Sequence, residues 1–185
     1  MRALPARRQA ASAGLLLATL GALLASPSRG HAYEEQWSLE LDAGYAQALP
    51  AEDAPGSGLQ LGLTAGYGPN DVFTLRLRGS YALHPAGDPF HVAMVGVEAV
   101  YLLDVLTWVP YFGGGVAGVL SARDGRRRGD LALTAVVGVD YLVRRDLLVG
   151  VEARGAVLPT GFASGAFEPG LLSVALKVGW LFDGY

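Results

Sequence analysis

From Trp37 onward, apolar and polar residues alternate with a period of two. Trp37, Leu39, Leu41, Ala43 and Tyr45 are separated by Ser38, Glu40, Asp42 and Gly44. The same rhythm runs through Leu59 to Tyr67, Phe73 to Tyr81, Ala93 to Tyr101, Leu131 to Tyr141, Val149 to Val157 and Leu172 to Phe182. Residues 108–120 are Gly-rich and apolar at both parities, which leaves their facing open. A period of two sends successive side chains to opposite faces of a strand. The pattern therefore predicts eight strands of about ten to thirteen residues, against the usual five or six. Ten residues at about 3.3 Å each, tilted by about 40°, cover roughly 25 Å of bilayer.

The connections alternate as well. Residues 48–57, 84–90, 121–130 and 159–170 read as longer loops rich in Pro, Gly and charge. Residues 68–71, 102–107 and 143–146 read as short turns. Long and short ends on opposite sides fit an up-and-down barrel that crosses a membrane.

Charge distinguishes the two faces. Glu40, Asp42, Arg76, Arg78, Glu98, Asp140, Glu152, Arg154 and Lys177 all fall on one face of their strands. That face is otherwise read as Gly, Ala, Ser and Thr, while the other holds nearly all the Leu, Val, Trp, Phe and Tyr. The interior of eight strands is only just wide enough for its own side chains. The small, charged face fits inside and the bulky apolar face fits outside. The expected fold is all-β: an eight-stranded antiparallel up-and-down transmembrane β-barrel. The competing architecture is a secreted soluble ligand-binding β-barrel with the faces exchanged. Aromatic positions favour the membrane form. Trp37, Tyr67, Phe73, Tyr101, Trp108, Tyr141, Trp180 and Phe182 gather at the short-turn end, as rings at a headgroup boundary do. Tyr45, Tyr81 and Phe112 are expected toward the opposite girdle.

The first 32 residues read differently. Arg2, Arg7 and Arg8 precede an apolar run from Ala13 to Ala25, and Gly30 and Ala32 form a small-x-small end. This predicts a cleavable secretory signal peptide over 1–32 and a barrel domain over 33–185. Thirteen apolar residues in a helix span about 20 Å, short of the roughly 30 Å hydrocarbon core.

Composition narrows the function. The 185 residues are 51 % hydrophobic and 17 % charged, with 26 Gly and no Cys. Absence of cysteine excludes disulfides, thiolate zinc sites and a lipoprotein anchor. Four of the 14 basic residues lie in the leader and all 17 acidic residues follow it, so the remainder carries −7. A nucleic-acid binder needs the opposite sign.

Several phrases resemble a known group. Pro110-Tyr111-Phe112-Gly113-Gly114-Gly115-Val116 is similar to the start of a mid-barrel strand in small outer-membrane barrels of Gram-negative bacteria, the OmpA-transmembrane-domain, OmpX and OmpW type. Gly138-Val139-Asp140-Tyr141 followed by Gly150-Val151-Glu152-Ala153-Arg154 resembles their late hairpin. Lys177, Gly179 and Phe182 match the last-strand signal for the outer-membrane assembly machinery, with Gly184 where the final aromatic is expected. The resemblance implies a monomer in the bacterial outer membrane, exported through the periplasm, with a lumen filled by ion pairs.

Candidate chemistry follows from the charged residues. Hairpin counting sets Arg76 opposite Glu98 and Lys177 near Glu152, and barrel closure brings Lys177 near Asp42. Such a network is either structural filling or a gate. Arg123, Arg126, Arg127 and Arg128 cluster in the third long connection and form a candidate contact for lipopolysaccharide phosphates. His84 and His91 flank one loop and raise the question of a metal pair, although two loop-end histidines are the simpler account. Neither has Ser at the offset of the outer-membrane deacylases, so no catalytic residue and no cofactor is expected. The expected role is structural or surface interaction without catalysis. A narrow or gated small-solute channel of the OmpW type is the alternative.

Overall fold

A computed structural model describes residues 36–49, 56–85, 89–103, 107–159 and 170–183. The leader, its cleavage point and Gly184 lie outside the described residues. Eight strands follow in order: β1 (Gln36–Ala48), β2 (Ser57–Gly68), β3 (Phe73–His84), β4 (Phe90–Leu102), β5 (Trp108–Arg123), β6 (Arg126–Arg144), β7 (Leu147–Val157) and β8 (Gly170–Asp183). Each pairs antiparallel with its chain neighbour, and β8 returns to β1 to close the barrel. The seam runs from Gln36 opposite Asp183 to Ala48 opposite Leu171. Closure leaves no edge strand in the barrel wall, the condition for a sheet in lipid, while residues 126–132 of β6 run past the end of β7 and pair with β5 alone.

The apolar face points outward. Leu59 is 76 % exposed, while Glu40 on the other face of the wall is 3 % exposed. Leu39, Leu61, Leu77, Val97, Leu133, Val151 and Leu176 continue the exposed band around the barrel. A surface of this extent is far beyond what a water-soluble monomer carries. The soluble alternative, with the apolar face inside, is not the one the chain adopts.

One open question is settled and two sequence expectations are corrected. The facing of β5 is resolved: Val109, Tyr111, Ala117, Val119 and Ser121 are buried inside, whereas Trp108, Phe112, Val116 and Leu120 face out. Phe112 belongs to the short-turn girdle, because it pairs with Tyr101 and their rings lie 5.6 Å apart. Its place near the start of a 16-residue strand sets it at that end. Residues 121–130 are not a loop. β5 and β6 continue as a ribbon to a two-residue turn at Asp124-Gly125, with φ of 50° and 72°. Two positive φ values match the twist of the flanking strands, which is why Asp-Gly closes tight hairpins.

The inner face is also less uniform than expected. Above and below the charges lie buried apolar layers. Val100, Leu102, Val109, Leu142, Leu148 and Leu181 pack toward the short turns. Phe90, Val92, Val119, Leu158 and Leu171 pack with alanines toward the long connections. Alternation read over the middle of each strand does not reach these end layers.

Candidate functional site

The lumen carries the concentrated chemistry. Its middle layer holds five carboxylates and four cations from six strands: Glu40 and Asp42 (β1), Arg76 and Arg78 (β3), Glu98 (β4), Asp140 (β6), Glu152 and Arg154 (β7) and Lys177 (β8). All nine are buried. Strand alternation aims them inward, and inward glycines leave them room. A Cβ on Gly62 would stand 2.2 Å from Asp42 Oδ2, and one on Gly150 would stand 2.2 Å from Asp140 Oδ1.

The pairing is specific. Arg78 forks onto Asp42, with Nη1 to Oδ2 at 2.6 Å and Nη2 to Oδ1 at 2.8 Å. Lys177 Nζ lies 2.9 Å from Glu40 Oε2 and 3.0 Å from Asp140 Oδ2. Glu152 accepts from Arg76 at 3.2 Å, from Arg154 at 2.7 Å and from the Tyr111 hydroxyl at 2.9 Å. Arg154 also meets Glu98. Thr134 donates to Glu98, and Ser38 donates to Glu40. Charge buried away from water persists only when paired and hydrogen-bonded in this way.

The nine residues expected in the lumen are thus together, but their partners differ from the hairpin count. Arg76 is opposite Glu98 in register, yet its guanidinium reaches Glu152 and Glu40. Arg154 takes Glu98 instead. Lys177 is opposite Asp42 in register, yet Asp42 belongs to Arg78. Lys177 faces Gly150 on β7 and bonds Glu40 and Asp140 rather than Glu152. Register sets Cβ neighbours, but long side chains in a narrow barrel cross to other strands.

Sequence reasoning missed Tyr111. Its ring sits among the charges, with Arg76 Cζ and Lys177 Nζ each 4.5 Å from its centroid. The signal was available: once Trp108 faces the girdle, alternation turns Tyr111 inward.

Space in the lumen is small. One cavity of about 20 Å³ lies beside Gln60, Ser80, Met94 and Arg154, and another of about 10 Å³ lies beside Arg78, Glu98 and Thr134. Each is on the scale of one water.

Outside the lumen, girdle rings meet in tilted or edge-on pairs. Trp37 and Tyr67 lie 4.9 Å apart, Phe73 and Tyr101 5.2 Å, and Trp108 and Tyr141 4.7 Å. Trp180 and Phe182 are exposed on β8, and Phe182 pairs with Trp37. The two histidines share a rim but occupy opposite faces of the wall. His84 is buried inside against the Gly56 carbonyl, and His91 lies outside 2.5 Å from the Tyr81 hydroxyl. They do not form a metal pair, and no cluster of three metal-ligating side chains occurs among the described residues. The arginine cluster is divided as well. Arg123, Arg126 and Arg128 share the face of inward-facing Ser121 and Asp130, where Arg128 pairs with Asp130 at 2.8 Å. Arg127 lies on the exterior face with Gly129 and Leu131.

No protein-family model matches the chain, and no curated protein matches it. Solved structures do match in shape. Neisserial surface protein A superposes with a TM-score of 0.62 at 18 % identity, over 80 % of this chain and 96 % of that one. The outer membrane protein OprG from Pseudomonas aeruginosa gives 0.60 at 12 % identity, over 83 % and 99 %. The attachment invasion locus protein of Yersinia pestis gives 0.56 at 15 % identity, over 80 % and 99 %. The chain has the fold of the small outer-membrane barrels.

Proposed function

We propose that this chain is an integral outer-membrane barrel that acts without catalysis, as a structural element and a surface contact rather than an open pore. The observation that carries this reading is the lumen. A belt of paired charges fills its middle, and an apolar layer closes each end. Signal-peptide export through the periplasm, insertion by the outer-membrane assembly machinery and a monomeric state complete the proposal. The basic hairpin of β5 and β6 supplies the contact with lipopolysaccharide. Neither barrel histidine has a serine two residues on, and the two lie on opposite faces of the wall, which supports a non-catalytic role.

The gated-channel reading draws on one observation. Lys177 lies between two carboxylates, as does Arg154, so partner exchange is geometrically available. Planar-bilayer recording of heat-modifiable, folded protein decides between them. The expected trace is flat. Discrete, reproducible openings of wild-type protein would replace the structural reading with the channel.

A further inference from the structure

We propose that the exterior wall of β4, β5 and β6 seats one acyl chain of lipopolysaccharide, with a lipid phosphate on Arg127. This rests on the lipid-contact reading above and narrows it to one face and one arginine.

A shallow groove lies open in that wall, lined by Ala93, Val95, Gly118, Leu120, Gly129 and Leu131. Register aligns Ala93, Leu120 and Gly129 in one row, and Val95, Gly118 and Leu131 in the next. Gly118 and Gly129 make the depression. Neither is demanded by packing: a Cβ on Gly129 meets nothing within 4 Å, and one on Gly118 touches only the Val95 carbonyl at 3.9 Å. The lumen glycines Gly62 and Gly150, by contrast, would collide with side chains. The groove is therefore a feature of the exterior surface, not a by-product of barrel closure.

Charge stands directly above it. One pleat repeat toward the outer end, His91, Ala122 and Arg127 align on the same face. Adjacent strands are about 4.8 Å apart, so the His91 and Arg127 backbones are separated by about 10 Å. Tyr81 holds the His91 ring. Arg127 is exposed and has no carboxylate partner among the described residues. A guanidinium fork matches phosphate oxygens in pairs. An occupant must then combine an apolar chain with an anion at headgroup depth. A phosphorylated, multiply acylated outer-leaflet lipid meets both demands. A second copy of this chain would bring the same cationic face against itself.

The test is native mass spectrometry of the full, heat-modifiable barrel released from micelles. It is incubated with bis-phosphorylated lipid A, with lipid A stripped of phosphate, or with phosphatidylcholine. Wild type is expected to retain the phosphorylated lipid about tenfold better than either other lipid, the scale of one charge-assisted hydrogen-bonded contact. Arg127→Ala and Gly129→Leu should each remove most of that preference, and Arg126→Ala, on the mouth face, should not. If Gly129→Leu loses its heat shift, Gly118→Leu fills the same groove from β5. Folded Arg127→Ala or groove-filled protein that retains lipid A like wild type overturns the proposal. Loss in Arg126→Ala alone would keep lipid contact but move it to the barrel mouth. Equal retention of all three lipids by every variant would remove the lipid-contact reading itself.

Discussion

Tyr111 on β5 occupies the side-chain space that Gly138 on β6 leaves empty. The two are register partners, and a Cβ on Gly138 would stand 2.4 Å from the phenol carbon and oxygen of Tyr111. The ring thereby covers bare strand backbone while its hydroxyl donates to Glu152. An aromatic laid over a strand glycine also fixes register and local curvature.

Gly138→Ala should therefore destabilise the barrel by about 1–3 kcal/mol, the usual cost of overpacking. Tyr111→Phe keeps the ring over Gly138 and removes only the hydroxyl. It should cost about 1–2 kcal/mol, because Glu152 loses a buried donor but retains Arg76 and Arg154. Urea midpoints of refolded protein, followed by tryptophan fluorescence and the gel shift, measure both. A Tyr111→Phe loss as large as that of Tyr111→Ala would mean that the hydroxyl, not the ring, holds this contact.

The ion network makes a sharper forecast, because register and contact disagree. Glu98 is opposite Arg76 along the ladder but bonds Arg154 across the lumen. A double-mutant cycle on Glu98→Gln with Arg154→Met should give a coupling of about 1 kcal/mol or more, and one with Arg76→Met a smaller value. Arg78→Met alone strands buried Asp42 and should cost about 3–5 kcal/mol. Adding Asp42→Asn should recover part of that loss. Stronger coupling of Glu98 to Arg76 would restore the register-based pairing.

What was legible in the sequence follows from these cases. Strand number, the faces of every strand but β5 and the nine lumen charges are readable because period two is a local property of each strand; β5, apolar at both parities, carries no such signal. Partner choice was not, because Arg76 and Lys177 cross the lumen and local counting records only neighbours. The 121–130 segment was misread through its Arg, Asp and Gly content. The informative signal was the Asp124-Gly125 pair itself, flanked by residues that continue the ladder. The division of the arginines followed directly from that hairpin, since only a strand assigns alternate faces.

Glycine substitutions separate lumen from exterior. Gly62→Ala and Gly150→Ala push a methyl into Asp42 and Asp140 respectively, and each should lower stability by about 1–3 kcal/mol. Gly79 lies on the exterior face of β3 with nothing within 4 Å of an added Cβ. Gly79→Ala should be neutral or stabilising by up to about 1 kcal/mol, through lower chain entropy in the unfolded state. Urea midpoints that rank Gly79→Ala with the two lumen variants would contradict the assignment of faces.

Two apolar layers also predict how hard the lumen is to open. Phe90 and Val92 lie at one end, and Val109 and Leu148 at the other, each almost fully buried. An apolar constriction excludes ions by staying dry, whatever the charges beyond it do. Arg154→Gln loosens Glu98 and Glu152 but leaves both layers intact, so bilayer recordings should remain at baseline. Combining it with Phe90→Ala and Leu148→Ala removes bulk from both layers, and only then should steady ion current appear. Current from Arg154→Gln alone, in protein that keeps its heat shift, would mean that the charges are the gate and the layers are not.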